Sequence, residues 1–526
     1  MIPQLKSAFT LILTFHLVVV LVACGSGPGQ NQVAASSSTP VSLQLSTTNS
    51  SIRPGETSQF IATAVYDDHS QRDVTSSVAW TATPLQIAQV DSEGMVTSGA
   101  IGTATVSASL AGMNASSMLT VDDQTSNSPI SARLFSMSVH NRSNWPTVTI
   151  SGLRLSDRGT SWSSINTANH VYDWHVLDNW LSSAQTNKVD LIYTFFSTPT
   201  WASSNPNLVC KDGDSNVPLG SCVAPNDLRR DGTGSNQHWK DYVTAIVTHA
   251  GGQIKYWEIW NEPTIAKFWQ GNNAQMVRMA KDAYNIIKAI DPTAQVTTPS
   301  PSTGINGVAD WMGPYLAVGG GAYADIIAFH GYSWSIKPGV WPVPEDIVAL
   351  VDNLKAQLLI YGQNQKPLWC TEGSWGGTEE NGFTDPDLHA AYLARHYLLQ
   401  QSENVARYYW YAWDNGDWGG LWDEATGINS AGIAYQQVED WIVGATPSGT
   451  CLANGTIWTC NYTRSGGYQA KAIWDTSQSC SRGRCTAKNV AAASKYIKYL
   501  DVAGGTHTII NGTVPVGAKP ILLVNQ

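Results

Sequence analysis

Residues 255–263 read KYWEIWNEP, and this stretch decides the fold. Its aromatic and β-branched residues favour a β-strand, and a carboxyl group, Glu262, closes it. A second strand-like stretch, PLWCTEG at residues 367–373, carries Glu372 at its own tip. About 110 residues separate the two glutamates, which leaves room for three β–α repeats. Such repeats return the second strand to the same rim of a barrel, so the spacing predicts two carboxyl groups facing one cleft.

The surrounding segments have the order expected of a parallel barrel. Between residues 130 and 438, segments rich in Val, Ile, Leu and aromatic residues alternate with helical stretches. The predicted strands are 133–139, 150–155, 189–196, 254–261, 294–298, 325–330, 367–372 and 406–413. The predicted helices include 168–186, 239–250, 274–290 and 387–401. The sequence therefore predicts an α/β fold with a (β/α)8 TIM barrel.

Shorter strand patterns lie on both sides of this region. Residues 41–122 contain alternating strands at the spacing of a β-sandwich. Motifs such as PGE at 54–56, VAWT at 78–81 and GTATV at 102–106 resemble the group 2 bacterial immunoglobulin-like module. The resemblance implies a spacer or a weak adhesion module. At the other end, residues 439–526 lose helical periodicity and predict a small C-terminal β-sandwich.

The start of the chain has the pattern of an export signal. Lys6 precedes an apolar run, residues 8–22, that is too short for a typical membrane-spanning helix. The run ends in LVACG at 21–25, which resembles the bacterial lipobox with Cys24 as the lipidated residue. An ordinary signal peptide with an incidental cysteine is the alternative. We expect a lipoprotein at the cell surface or the periplasmic face of the outer membrane, with a signal peptide at 1–24 and a flexible linker at 25–40.

Export makes disulfide bonds permissible, and the cysteine spacing suggests local pairs. One cysteine remains unpaired in this scheme: Cys370 lies two residues before Glu372, on the same strand face by alternation. We expect Cys370 to be an inward-facing, buried and inert thiol. The expected disulfide pairs are Cys210 with Cys222, Cys451 with Cys460, and Cys480 with Cys485, although sequence alone does not fix the connectivity.

The composition excludes some partners and favours another. Only 13% of the residues are charged and the net charge is −10, which argues against nucleic acid or an anionic membrane surface. The 22 tryptophans exceed what a core of this size needs, and flat aromatic faces suit sugar rings. The sequence contains no His/Cys cluster with metal-ligand spacing and no glycine-rich phosphate loop, so no metal and no cofactor is expected. The expected partner is a carbohydrate, with membrane contact only through a lipid on Cys24, and the expected state is a monomer.

The two glutamates are the residue types that retaining glycoside hydrolysis needs, namely a proton donor and a nucleophile. We assign Glu262 as the acid, whose pKa must lie above the ~4.3 of a free glutamate. Burial near Trp260 and the charge of Glu372 are expected to raise that pKa. Glu372 must stay ionised and needs hydrogen-bond donors, for which Arg154 and Tyr332 are the candidates.

The WEIWNEP run at 257–263 resembles the acid/base strand of clan A glycoside hydrolases, especially family 39 and its relatives. Further matches occur in the expected order: Arg154 on strand two, TPTWA at 198–202, FHGY at 329–332, Glu372 on strand seven and Trp413 on strand eight. The resemblance implies a retaining double displacement with Glu262 as acid/base, Glu372 as nucleophile and carboxyl groups about 5–5.5 Å apart. It also implies substrate contacts from Asn261, Arg154, His330, Tyr332, Trp413 and Trp201.

Some alternatives stay open at this point. Glu258 shares the strand face of Glu262, and we expect it to be a barrel-interior carboxylate paired with a cation. The main functional alternative is a catalytically inactive cell-surface glycan-binding protein, and within the enzyme class a transglycosylase. The sequence leaves open the sugar and its linkage, endo or exo action, and the role of the immunoglobulin-like domain. The candidate sugar platforms are Trp201, Trp269, Trp375, Trp418 and Trp422.

Overall fold

The computed structural model describes most of the chain beyond its first segment. Within that part, no helix has the length and apolar composition that a bilayer crossing requires. The expected signal peptide at 1–24, its Cys24 and the linker up to residue 37 lie outside the described residues. The described residues are 38–47, 51–52, 55, 57–68, 70–99, 102–121, 129–156, 158–210, 217–333 and 340–526.

Eight parallel strands form a closed sheet in the middle of the chain. They are β1 (Phe135–Ser138), β2 (Gly152–Leu155), β3 (Asp190–Thr194), β4 (Tyr256–Glu258), β5 (Gln295–Thr297), β6 (Ile327–His330), β7 (Leu368–Gly373) and β8 (Val405–Trp410). Each overlaps one predicted strand, and they pair in the order β5-β4-β3-β2-β1-β8-β7-β6. A parallel bridge between Thr297 and Ile326 joins β5 to the segment entering β6, which closes the predicted (β/α)8 barrel.

Helices cover the outside of the barrel, and local sequence explains several of their ends. Asn272 and Gln275 form a capping box at the start of the longest helix. Asp385 caps another helix, which has Pro386 in its first turn. The longer helices in the described part of the chain are α1 (His175–Asn187), α2 (Gln237–Ala250), α3 (Asn273–Ile290), α4 (Gly304–Ala317), α5 (Asp346–Ile360), α6 (Pro386–Ser402) and α7 (Ser430–Ile442). Single helical turns occur at Trp162–Ile165 and Thr378–Asn381.

The barrel is packed at one end and polar at the other. Arg407 lies 4.5 Å from the ring centroids of Tyr256 and Trp369 and pairs with Asp190 over 2.7 Å. These residues fill the end where the strands begin, so the polar side chains of the opposite rim have a solid base. The apolar residues of this cluster are Ile192, Tyr256, Ile326, Trp369 and Tyr409.

The expectation that Cys370 faces the barrel interior with Glu372 is wrong. Its thiol hydrogen-bonds Gln400 of α6 and the backbone of Gly331, and it is buried in the layer between barrel and helices. A register irregularity in β7 between Cys370 and Gly373 breaks the simple alternation of faces. The thiol is free and buried, as expected, and burial raises its pKa well above the usual value, so it is unreactive.

The N-terminal residues form two β-sheets around small apolar clusters. Phe60, Val96, Val106 and Leu119 are fully buried in one of these clusters. Both sheets contribute residues to this cluster, and the immunoglobulin-like sandwich stays a prediction. One sheet contains Pro40–Thr47, Thr57–Tyr66, Gln71–Asp73, Ala88–Val90 and Met95–Ser98; the other contains Ser51–Ile52, Ala79–Thr83, Gly102–Leu110 and Met113–Val121.

The C-terminal residues also form β-sheets, and they pack directly on the barrel. Trp474 Nε1 donates to Glu345 at the start of α5 over 2.8 Å, and Lys519 pairs with Asp387 of α6 over 2.7 Å. The main sheet contains Thr446–Pro447, Leu452–Asn454, Ile457–Arg464, Tyr468–Asp475, Lys498–Asp501, Thr506–Thr508 and Ile521–Val524; Ala487–Ala491 pairs with Thr513–Gly517. All three expected disulfides are confirmed: Cys210–Cys222, Cys451–Cys460 and Cys480–Cys485.

Glu439 on α7 provides a pH-dependent test of barrel stability. Burial, with the nearby Asp440, raises the pKa of Glu439 to about 7. A carboxyl group whose folded-state pKa is raised binds its proton more tightly in the folded state, so stability falls as the pH rises from about 4.5 towards 7. Glu439→Gln should therefore stabilise the barrel by about 1–2 kcal/mol at pH 8, after allowance for solvent screening, and by little at pH 4. Urea unfolding at both pH values measures this, and an equal gain at both would contradict it.

Candidate active site

The carboxyl ends of the strands bring the predicted polar residues to one rim. Arg154 lies on β2, Glu372 on β7, and His330 ends β6. Glu262 follows β4 and has a φ of 41°, in the left-handed region that costs a non-glycine residue about 1–2 kcal/mol. A hydrogen bond from its N–H to the Ser300 carbonyl (3.1 Å) helps to hold this conformation. Backbone strain of this kind is concentrated at functional sites.

Arg154 is the centre of the site. Its Nε and Nη2 donate to Oε2 of Glu258 over 2.9 and 2.7 Å, and its Nη1 donates to Oε2 of Glu372 over 2.5 Å. Nη2 also donates to Oδ1 of Asn261 over 2.8 Å. The Arg154 side chain is fully buried, so this single cation pairs with two largely buried carboxylates. The expected pairing of Glu258 with a cation is confirmed.

His330 lies between Arg154 and Glu262. Its Nε2 is 3.3 Å from Nη2 of Arg154. Its Nδ1 is 2.9 Å from Oε1 of Glu262, and because a carboxylate oxygen only accepts, Nδ1 donates to it. A proton carried by Glu262 then belongs on Oε2, the oxygen that His330 does not occupy.

Glu372 receives a second donor from the rim. Tyr332 donates its hydroxyl to Oε1 of Glu372 over 2.6 Å. Burial, together with the charges of Glu372 and Glu262, raises the pKa of Tyr332 well above its usual value, so the phenol stays protonated and can only strengthen this bond. The two donors proposed from the sequence, Arg154 and Tyr332, therefore both contact Glu372.

The two carboxylates lie close together. One oxygen of each glutamate and Nδ1 of His330 all lie within 4.8 Å of one another. The 4.8 Å limit joins one oxygen of each group, and at this distance the two carboxyl groups can act on the same bond of a sugar. A metal ion at this point would need the Nδ1 lone pair, which the proton occupies, and it would lie next to the Arg154 guanidinium. The arrangement suits proton transfer and nucleophilic attack rather than metal binding.

Burial acts to raise the pKa of both carboxyl groups, but neighbouring residues make the net shifts opposite. For Glu372, burial together with the charge of Glu262 outweighs the opposing effects of His330, Arg154 and Tyr332, and its pKa lies above the usual value. For Glu262, burial is outweighed by the hydrogen bond from His330, the charges of His330 and Arg154 and the hydrogen bond from Ser302, and its pKa lies below the usual value. The expected rise in the pKa of Glu262 is therefore wrong for the free protein, because the expectation omitted the N–H that His330 donates.

The two predicted tryptophans lie outside this hydrogen-bond network. Trp413 is fully buried three residues after β8, where its backbone N–H donates to Ser138, and its ring stacks on Trp422 at 6.5 Å. Trp201 is half-buried, and its indole N–H donates to the carbonyl of Asn166 over 2.9 Å.

Sequence reasoning missed three other participants. Ser302 hydrogen-bonds Glu262, and Thr194 donates to Oε2 of Glu258 over 2.6 Å. Trp418, expected only as a sugar platform, donates its indole N–H to Tyr332 over 3.4 Å. Thr194 ends β3, so its position at the rim was a usable signal. Ser302 and Trp418 lie on loops that strand patterns do not locate.

Removing the central guanidinium should be costly. In Arg154→Ala the buried carboxylates of Glu258 and Glu372 lose their cation, so the free energy of unfolding of the barrel should fall by about 3–5 kcal/mol at pH 7. Urea titration followed by tryptophan fluorescence measures this change. The matched control is Arg133→Ala: the Arg133 side chain is 63% exposed and 3.9 Å from Asp190, and its loss should cost under about 1 kcal/mol. Equal losses in the two variants would contradict the role of Arg154.

Comparison with known proteins fits this geometry. Residues 231–435 match the family model of the glycosyl hydrolase catalytic core. The chain is 24% identical over 196 residues to a β-xylosidase of Geobacillus stearothermophilus, covering 34% of this chain and 37% of that protein. It is 33% identical over 110 residues to ice-binding protein 1 of Shewanella frigidimarina, covering 20% of this chain and 12% of that protein. The chain thus spans well under two thirds of either relative.

A solved structure extends the fold comparison over nearly the whole chain. A family 39 glycoside hydrolase from Bacteroides cellulosilyticus WH2 aligns with a TM-score of 0.58 and 15% identity, covering 92% of this chain and 100% of that one. The chain therefore shares the fold of that structure. The match of residues 231–435 to a glycosyl hydrolase catalytic core supports a glycosidase.

Proposed function

We propose that the protein is a retaining glycosidase that cleaves β-glycosidic bonds of extracellular oligo- or polysaccharides. The observation that carries the proposal is a pair of buried carboxylates within 4.8 Å, of which Glu372 contacts a guanidinium and a phenol while Glu262 contacts an imidazole. Donors on both oxygens of Glu372 fix its orientation for attack. Glu262 keeps Oε2 available for a proton.

In the first step, Glu262 donates its proton to the glycosidic oxygen while an oxygen of Glu372 attacks the anomeric carbon. The bond from that carbon to the leaving oxygen breaks, and an ester bond to Glu372 forms. Asn261 has its Oδ1 held by Arg154, which leaves its Nδ2 to donate to the 2-hydroxyl of the sugar. Such a contact strengthens as the oxocarbenium-like transition state develops.

In the second step, Glu262 removes a proton from water, and the water oxygen attacks the anomeric carbon. The ester bond breaks, and Glu372 returns to the carboxylate form. While Glu372 is esterified it carries no negative charge, so the pKa of Glu262 falls further and the group is a carboxylate able to act as base. The charge on Glu372 therefore sets the pKa of Glu262 in both steps: it raises that pKa before the ester forms, and the effect is lost once the ester has formed.

The export pattern of residues 1–24 supports a further part of the proposal, a lipid-anchored protein outside the inner membrane. An extracellular position would bring the barrel to polymers that cannot enter the cell. The N-terminal sandwich would then act as a spacer between the anchor and the barrel.

The test is a hydrolysis screen of the form that starts after Cys24. Aryl β-xylosides come first, because a β-xylosidase is among the relatives, followed by other aryl β-glycosides and polysaccharides. Proton NMR of the first sugar released should show the β-anomer, the product of two inversions. Release of the α-anomer would overturn the retaining mechanism. Silence across the panel with sugar binding retained would favour the glycan-binding alternative.

A further inference from the structure

Two loops clasp each other beside the nucleophile. The loop after β7 meets the loop after β8 at a bridge between Gly377 and Trp418. The backbone N–H of Thr378 donates to the Asp417 carbonyl over 3.3 Å, and that of Glu379 donates to the Asp417 carboxylate over 3.0 Å. We name residues 377–379 and 417–418 the β7–β8 clasp.

The β7–β8 clasp fixes the position of the Trp418 ring. A Cβ on Gly377 would lie only 2.9 Å from Cε3 of the Trp418 ring, so the ring packs where only a glycine fits. The base of the loop is fixed by Trp410, whose Nε1 donates to the Gly419 carbonyl over 2.7 Å. Trp418 itself is half-buried. Its ring position is therefore set by backbone on two sides.

In this position the indole N–H of Trp418 faces Tyr332, the residue that donates to Glu372. Trp418 Nε1 donates to the hydroxyl oxygen of Tyr332 over 3.4 Å, and Tyr332 donates to Oε1 of Glu372 over 2.6 Å. The two rings meet edge to face at 81° with centroids 6.3 Å apart. An accepted hydrogen bond polarises a hydroxyl and strengthens the bond that it donates. It also fixes the rotation of the phenolic O–H towards Glu372.

We propose that Trp418 is a positioning residue that acts through Tyr332 to orient Glu372 for attack on the anomeric carbon. The inference rests on the proposed function and gives Trp418 a role other than the sugar platform expected from the sequence. A sugar platform, the role expected for Trp418 from its residue type, needs only the ring. The positioning role needs the indole N–H, and this difference makes the two separable.

The test is a double-mutant cycle with Trp418→Phe and Tyr332→Phe. Phenylalanine keeps an aromatic face but has no N–H. On a dinitrophenyl glycoside of the sugar found in the screen, the first step needs little acid assistance, so kcat/KM reports nucleophilic attack. Trp418→Phe should lower this value about fivefold with KM nearly unchanged, but less than twofold when Tyr332 is already Phe. The same fivefold loss in both backgrounds, or no loss in either, would overturn the proposal.

The matched control is Trp422→Phe. Trp422 lies on the same loop and stacks on Trp413 rather than on the clasp. Its effect should be the same with and without the Tyr332 hydroxyl. Coupling as large as that of Trp418 would mean that any aromatic change in the loop disturbs Tyr332, which overturns the specific role of the indole N–H.

A second readout does not depend on turnover and so separates this proposal from the proposed function. In a crystal structure of Trp418→Phe, the distance from the Tyr332 hydroxyl to Oε1 of Glu372 should lengthen beyond about 3.2 Å. The wild-type distance is 2.6 Å. An unchanged distance and rotamer would overturn the positioning role even if the enzyme is active. If this distance lengthens but the wild-type protein is inactive on every glycoside, the proposed function is wrong, whereas the hydrogen-bond chain from Trp418 through Tyr332 to Glu372 is confirmed.

Discussion

Replacing Glu372 with alanine is expected to lower kcat for an aryl β-glycoside by about 10⁴-fold or more. The covalent route needs an oxygen nucleophile within reach of the anomeric carbon, and among the described residues of this rim only Glu372 has a guanidinium and a phenol as donors. Sugar binding should survive, because Asn261 and its contact with Arg154 remain. Steady-state kinetics gives the loss, and calorimetry on the unhydrolysed substrate gives the binding.

Azide rescue makes this result specific to a nucleophile. In Glu372→Ala, azide can enter the space of the lost carboxylate and attack the anomeric carbon from that side, while Glu262 still protonates the leaving oxygen. The product should be a glycosyl azide of α configuration. Glu372→Gln is the matched control, since its amide fills the space and should give the same loss without rescue. Turnover of Glu372→Ala within tenfold of wild type would remove Glu372 as the nucleophile.

The sequence predicted the barrel and its rim well because both follow from regular patterns. Strand-tip positions of parallel strands must meet at one edge, so Glu262 and Glu372 could be brought together from spacing alone. Arg154 and Tyr332 could be named as donors for the same reason. Where β7 is irregular, as at Cys370, simple alternation gave the wrong face.

The electrostatics of the pair could not be predicted, because they depend on individual atoms. The sequence placed His330 near the site, but only the structure brings its Nδ1 within 2.9 Å of Oε1 of Glu262. This contact makes His330 a donor to Glu262 and helps to lower the pKa of Glu262, where a rise was expected. Trp418 likewise depends on how two loops meet, which no local pattern encodes.

The reversed order of the two pKa values has a mechanistic consequence. The two carboxyl groups share one proton. In the reactive form, Glu262 is protonated and Glu372 is ionised. The raised pKa of Glu372 and the lowered pKa of Glu262 oppose this placement of the proton in the free protein. The dependence of kcat/KM on pH then reports the pair rather than either residue. Substrate binding has to favour the proton on Glu262.

Replacing Glu262 with alanine is expected to have an effect that depends on the leaving group. For a poor leaving group, such as a sugar hydroxyl, the first step should slow by about 10²–10⁴-fold, the usual contribution of general acid catalysis. For dinitrophenolate, which needs no proton, it should slow by less than about tenfold. The second step loses its base in either case, so a burst of dinitrophenolate should precede slow turnover. Stopped-flow absorbance measures both phases.

The position of Glu262 decides what rescues this variant. Azide in the space of the lost side chain would attack the ester of Glu372 from the opposite face, and the product should be the β-glycosyl azide. Glu258→Gln is the informative control, because Glu258 belongs to the same buried network but lies deeper, and its loss should be equally large for both leaving groups. If Glu262→Ala also lost the same factor with both, Glu262 would act by holding the network together. If the loss of rate in Glu262→Ala is much larger for the poor leaving group, the leaving oxygen receives the proton from Oε2 of Glu262.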